Sequence, residues 1–332
     1  MKVVTHDRLD VVGAAAWAGL HARSRLRSPF LAWPWQVEWA RAFAHGRRLE
    51  VWRVQDGDEL VAVLPLYEAE PGVFRLLGGV DISDYLDLLA VAGREEEAWA
   101  SILGARVAGL AIWDLHAVPA ASPTVTALPS LAGAYGLRAS VAVEERCPVV
   151  MLPESWEAYL QALPSKERHE LTRKIRRLAR EAPDTRVACT ATRTDIETRL
   201  GDFLDLHRRS HTGKARFMDT RMEGFFRRAT AALADLGIVR LWFLDGPSGP
   251  LATFITFEWD GTVGLYNSGF HPDRATLSPG VVLLGHLIRD AIVRGKQRFD
   301  FLRGEERYKY DFGPQPEEVY RVQIAPDGTP PS

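Results

Sequence analysis

The segment RFDFLRGEERYKYDFG, residues 298–313, sets Asp300, Glu305, Glu306, Arg307, Tyr308, Lys309 and Asp311 on or directly behind a hydrophobic strand pattern. Carboxylates and a phenol this close together are groups that take up and return protons beside a substrate. Period-two alternation turns Asp300 to the face opposite Phe299 and Phe301, while Glu305 follows Gly304, just past the strand pattern. A plain surface turn would carry the same charges, so the surrounding elements have to decide between the two.

A second constellation lies upstream. In NSGFHPDRATLSPGVVLL, residues 267–284, a strand runs through a loop into a helix. Pro279 suits the first helical turn, Ser278 is placed as its N-cap, and Gly280 offers no side chain against an approaching ligand. Unpaired N–H groups and the positive end of the helix dipole would together receive an anion there. Further upstream, SKERHELTRKIRRLARE (165–181) has Leu171, Ile175 and Leu178 on one face. Arg173, Arg177 and Arg180 fall on another, with Lys166 before them: a solvated face, or a patch for phosphate groups. His207 and His211 stand at a metal-ligand spacing, but Arg208 occupies the place of the HExxH glutamate and flanking cations repel a metal, so no metal site is expected. The stretch beyond, HTGKARF, with Lys214 and Arg216, is expected to border a cleft.

The elements that must position these groups fall into two halves. With 332 residues the chain is long enough for about two domains. A 46% hydrophobic and 25% charged composition is that of a soluble globular protein, and a net charge of -2 gives no overall attraction to nucleic acid or membrane. Cys147 and Cys189 form no metal or disulfide pattern, and the apolar run at residues 11–20 is too short to span a bilayer, so a cytoplasmic setting is expected. Residues 49–79 read as a three-stranded meander with turns at Asp56-Gly57 and Pro71-Gly72, followed by a helix over 94–110, a strand, a further helix and an extended segment closing near 152. The second half repeats the order: a meander with turns at Asp245-Gly246 and Asp260-Gly261, a helix from Pro279, the strand RFDFLRG and a final strand EVYRVQIA. Two mixed α/β units, 1–152 and 153–332, are expected.

At SPGVVLL, FDFLRG and GEERYK the chain resembles the GNAT acetyltransferase superfamily, in the branch of CelD-like acetyltransferases and, more distantly, Fem-type aminoacyltransferases. SKERHELTRKIRRL resembles the basic helix opening that family's catalytic unit, and DISDYLDLL (81–89) resembles a motif of the first unit; the main resemblance covers about 155–312. The family's Q/R-x-x-G-x-G/A signature is kept in part. Gly280 takes the place of the last glycine, Ser278 replaces the first, and Ala275 stands at the Gln/Arg position with Arg274 one place early.

The resemblance implies tandem units facing a shared cleft and acetyl-CoA or another acyl-CoA as donor. Its pyrophosphate would lie at Ser278, Gly280 and Val281, with Arg274 near. It also implies that backbone N–H groups at Asn267, Ser268 and Gly269 polarise the thioester, and that Asp300 or Glu305 serves as base. Tyr308 would donate to the departing thiolate, and Lys309 would hold an anionic acceptor or a CoA phosphate. Arg173 and Arg177 would meet an anionic ligand, and Asp84 and Tyr85 would bind the acceptor, a small amine such as an amino sugar or amino acid derivative. Two alternatives stay open: an aminoacyl-tRNA donor, and a non-catalytic binding protein of the same fold.

Overall fold

The computed structural model describes residues 1–106 and 111–326. They form two units, one from Met1–Arg146 together with the chain from Glu317 onward, the other from Cys147–Pro316. The division expected at residue 152 is therefore replaced by one in which the chain returns to the first unit at its end.

The first unit begins with β1 (Lys2–His6), α1 (Ala14–Arg23) and α2 (Trp33–Phe43), followed by the meander β2 (Leu49–Asp56), β3 (Glu59–Glu70) and β4 (Val73–Leu76). The two turns fall where the sequence puts them, with Gly57 and Gly72 at φ 58° and 77°, values a side chain would strain. Next come β5 (Leu89–Ala90), which pairs with β3, then α3 (Glu95–Ala105), β6 (Ile112–Pro119), α4 (Pro123–Thr126), α5 (Leu128–Ala134) and β7 (Leu137–Met151). The last part of the helix predicted over 94–110 lies outside the described residues. Strand β4 pairs with β6 in parallel, through Val73 with Ile112 and Phe74 with Trp113.

The second unit opens with α6 (Trp156–Ala162) and α7 (Ser165–Glu181), then β8 (Arg186–Thr190), α8 (Arg193–Ser210), α9 (Thr212–Phe217) and α10 (Thr220–Ala234). Its meander is β9 (Val239–Gly246), β10 (Gly249–Trp259) and β11 (Thr262–Phe270). The first turn is Pro247-Ser248, because Gly246 still pairs with Gly249; the second is Asp260-Gly261, with φ 43° and 72°. Helix α11 (Pro279–Val293), the short β12 (Arg298–Asp300), α12 (Arg307–Tyr310) and β13 (Gln315–Pro326) complete the chain. The apolar face read in α7 is real: Leu171 and Leu178 are buried in one core with Val282, Leu287 and Phe299. Gly285 of α11 lets the helices close up, since a Cβ there would lie 3.3 Å from Leu171 Cδ1.

Both repeats thus run meander, helix, parallel strand, helix, strand. Their closing strands change places. The end of β7 belongs to the second unit from Cys147 on, where Val149 to Met151 pair antiparallel with β12, and β13 belongs to the first from Glu317 on, where it pairs antiparallel with β6.

Candidate active site

Strands β11 and β12 run side by side for three residue pairs only, from Thr262 with Arg298 to Gly264 with Asp300. Beyond them each turns away for a local reason. The pairing of β11 with β10 steps from Leu265 opposite Thr256 to Asn267 opposite Ile255, so Tyr266 is an extra residue and the strand bends at this bulge. On the other side the Asp300 carboxylate accepts the Leu302 N–H at 2.8 Å, and Leu302 takes the left-handed φ of 56°. The strand read through Gly304 therefore ends at Asp300.

Where β12 has left, two side chains take the Ser268 carbonyl. His207 Nδ1 donates to it at 2.9 Å and Lys214 Nζ at 2.6 Å, and Lys214 reaches Ser268 Oγ at 2.9 Å as well. Gly269 makes this approach possible: a Cβ there would sit 2.6 Å from the His207 backbone nitrogen, so α8 lies against the strand only because no side chain intervenes. Burial, with the Lys214 charge nearby, pushes the His207 pKa down to about 4, which keeps the imidazole neutral. Burial likewise pushes Lys214 down to about 8, with Glu306 pulling the other way.

A cavity of about 380 Å³ opens beside this strand. Phe254, Phe270, Ala275, Pro279 and Val281 give it carbon walls, Lys214, Ser268 and Tyr308 bring polar groups, and Gly269 and Gly280 present bare backbone. Tyr308 is 36% exposed at the rim; burial of its hydroxyl, with Glu306 nearby, raises its pKa above the ordinary phenol range and keeps it protonated. At the start of α11, Ser278 is the N-cap residue expected from the sequence, but it sits at φ 52°, ψ 46° and its hydroxyl caps nothing. Helix geometry gives the Gly280 and Val281 N–H groups no acceptor within α11, and a Cβ at Gly280 would meet nothing within 4 Å. A pocket-facing helix start of this kind suits a phosphate or pyrophosphate.

The structure brings Ser268, Gly269, Ser278, Gly280, Val281 and Tyr308 together around the cavity and leaves the other candidates elsewhere. Asp300 is buried at the strand junction and does not line it. Glu305 is exposed and accepts a hydrogen bond from the Tyr310 hydroxyl at 2.9 Å. Lys309 is 4% exposed: its Nζ donates to the Arg303 and Gly304 carbonyls at 2.9 and 3.0 Å and pairs with Glu306 at 2.8 Å, tying down the loop between β12 and α12. Asn267 lies at the bulge, outside the lining. Arg274 borders a different cavity, of about 540 Å³, with Asp273 and Glu181.

Arg173 and Arg177 are taken up by Glu170 at 2.8 Å and Glu181 at 3.1 Å along their own helix. The cations near the start of α11 are instead Lys166, Lys174 and Arg307, which border a cavity of about 330 Å³ together with Val281. Asp84 and Tyr85 belong to the first unit, where Tyr85 is buried and its carbonyl accepts from Ser28 Oγ at 3.0 Å. His211 is occupied in capping α9, accepting the Gly213 N–H at 3.0 Å. Sequence reasoning set Lys214 only at the border of a cleft and passed over Phe254 and Phe270. Its one available signal was a lysine after a Gly in a stretch otherwise rich in arginine, which says nothing of burial.

Residues 165–310 match the acetyltransferase (GNAT) domain family. Among curated proteins none matches the chain significantly in sequence. Among solved structures the chain is similar to FemX, at TM-score 0.66 and 12% identity with 97% of each chain covered. It is also similar to the C-terminal DUF2156 domain of an Agrobacterium fabrum protein, at 0.57 and 13% with 94% of this chain and 92% of that one covered. A third is L-PGS from Bacillus licheniformis, at 0.51 and 11% with 85% of each covered. These likenesses are of fold, and they span both units. No helix among the described residues is long and apolar enough to cross a membrane.

Proposed function

We propose, for a chain whose residues 165–310 match the GNAT acetyltransferase domain family, that it transfers an acyl group from acyl-CoA to a small amine. The observation that carries this reading is the junction of an uncapped, open helix start at Ser278–Val281 with an apolar cavity beside the freed edge of β11. The donor's pyrophosphate lies at the Gly280 and Val281 N–H groups, and its pantetheine chain runs between Phe254 and Phe270. The thioester reaches Ser268 and Gly269, whose backbone is the part of β11 that borders the cavity. Tyr308, held protonated, donates a hydrogen bond to the departing sulfur. Asp300 is given a supporting role, keeping the two strands parted.

Acetyl-CoA added to the purified protein should raise its melting temperature, because a ligand that binds only the native state stabilises it. Incubation with a panel of amines should then release free CoA. A protein indifferent to acetyl-CoA and to longer acyl-CoAs alike would sink this reading. An aminoacyl-tRNA donor is the second reading, favoured by the Lys166, Lys174 and Arg307 cations beside Val281, which share their cavity with Glu167, Glu170 and Asp311. Salt-sensitive binding of tRNA, without any shift from acyl-CoA, would establish it in place of the first.

A further inference from the structure

Amide formation from an amine and a thioester requires a group that accepts the amine proton, and among the residues lining the cavity only Lys214 and Tyr308 titrate. Tyr308 is held protonated. The carboxylates of the 300–311 segment do not line the cavity. We infer that Lys214, as a neutral amine, accepts the proton of the attacking acceptor amine; this rests on the acyl-transfer reading above.

The geometry of Nζ is what fits it to the task. Its two hydrogen bonds run to the carbonyl and the hydroxyl of one residue, Ser268, at 2.6 and 2.9 Å. A neutral amine has two N–H groups, and both are used there. Of the four tetrahedral positions, Cε takes one and Ser268 takes two, which leaves the lone pair as the fourth, on a side chain that borders the cavity. The same carbonyl is shared with His207, itself neutral, which adds no positive charge and fixes Ser268 in place.

The surrounding charges permit the neutral form. The group favouring the ammonium is Glu306, and its carboxylate is already paired with Lys309 Nζ at 2.8 Å. Tyr308 faces the same cavity without charge, and Arg208 bonds away from it, to the Met218 carbonyl and Glu223. With its pKa pushed down to about 8 by burial, Lys214 reaches the free-amine form far more readily near neutral pH than an exposed lysine does.

The step balances. The acceptor nitrogen forms the new C–N bond, the C–S bond breaks, and the electron pair leaves with sulfur as the CoA thiolate. The amine proton passes to Nζ, giving an ammonium. That ammonium returns the proton to the thiolate, releasing free CoA and restoring the neutral lysine.

Two measurements test this. Nζ of lysine-labelled protein, assigned by the signal lost in Lys214→Arg, should titrate near pH 8; a midpoint at an exposed lysine's ordinary value, near about 10.4, overturns the proposal whatever the activity. With acetyl-CoA and the best amine of the panel, kcat should rise with pH to a plateau, with its inflection near the same value. Lys214→Arg, which keeps the charge but cannot become neutral, should lose about a hundred- to ten-thousand-fold in kcat with the KM for acetyl-CoA nearly unchanged. Lys214→Gln should behave alike, a control against one badly accommodated variant. If Lys214→Arg keeps the wild-type rate, the residue holds an anion and the proposal falls while acyl transfer stands. If the wild-type protein binds no acyl-CoA, the acyl-transfer reading fails and this role fails with it.

Discussion

Helices α3 and α11 occupy the same place in the two repeats, each leading from a meander to a strand that pairs in parallel with the meander's last, yet their first turns are opposite in character. Helix α3 begins Glu95-Glu96-Glu97, and Glu95 is buried against Arg25 at 3.0 Å. Its positive end is answered by its own carboxylates. Helix α11 begins Pro279-Gly280-Val281 with no acidic residue in its first turn and no side-chain cap. One copy of the motif is closed to anions and the other is open, and only the open one adjoins the cavity with Ser268 and Lys214.

The aspartates at corresponding places in the two parallel strands extend the contrast. Asp114 follows Trp113 in β6 as Asp300 follows Phe299 in β12, and both are buried. In the first unit the space beyond is filled by charge: Asp114 accepts from Arg75 at 3.0 Å, from Arg321, and pairs with His116 at 2.8 Å, while His116 meets Glu144 at 2.7 Å. In the second unit Asp300 turns to the backbone of Leu302. Both carboxylates are thus buried at a strand junction, and Asp300 does not line the cavity.

Three experiments would break or sharpen this division. The largest effect is expected from Asp114→Asn, which leaves Arg75, Arg321 and His116 short of a buried counter-charge. It should cost about 3 kcal/mol of stability in a urea melt and leave the acetyl-CoA-induced shift intact. A loss of acetyl-CoA binding out of proportion to stability would mean that the first unit's seam also serves the donor.

Next in size, Gly280→Glu gives α11 a carboxylate like those at the start of α3. The open space around Gly280 spares the fold, so the melting temperature without ligand should hold, while acetyl-CoA binding weakens at least about tenfold, or roughly 1.4 kcal/mol. Unchanged affinity by calorimetry would remove the helix start from the donor site.

The smallest effect is one of pH. Burial alone would lower the His116 pKa, but Asp114 and Glu144 outweigh it and raise it above 6.5. The stability this histidine contributes is therefore complete below the unfolded value near about 6.5 and is lost as pH rises through the higher folded one. Melts between pH 6 and 9 should fall more steeply for the wild type than for His116→Gln; parallel curves would deny the histidine its charge.

What the sequence could and could not say follows from the range of each signal. The turns at Asp56-Gly57 and Asp260-Gly261 were legible because their left-handed φ values are a local demand. The apolar stripe of α7 was legible because its period matches the face it buries. Tyr266 was not: alternation counts straight through a bulge, and only the register against β10 exposes the extra residue. The inward turn of Lys309 onto the Arg303 and Gly304 carbonyls depends on a loop fixed by Leu302 and Gly304 at φ 56° and 106°, and residue type alone made it look like a surface cation. Lys214 went unvalued for the converse reason, since its burial comes from α8 closing on Gly269.

The exchange of closing strands also bears on how such a chain is made. Val319 of β13 pairs with Pro119 of β6, about 200 residues earlier. A chain emerging from the ribosome with its N-terminal part first presents β6 with one side unsatisfied through the whole synthesis of the second repeat. The second repeat meets no such delay, because β7 has been made before β12 needs it. The second unit can thus close first and the first unit last, an inversion of the order in which they are translated. Cutting the gene between the repeats would strand each product with the other's last strand and an open sheet edge, a template for aggregation.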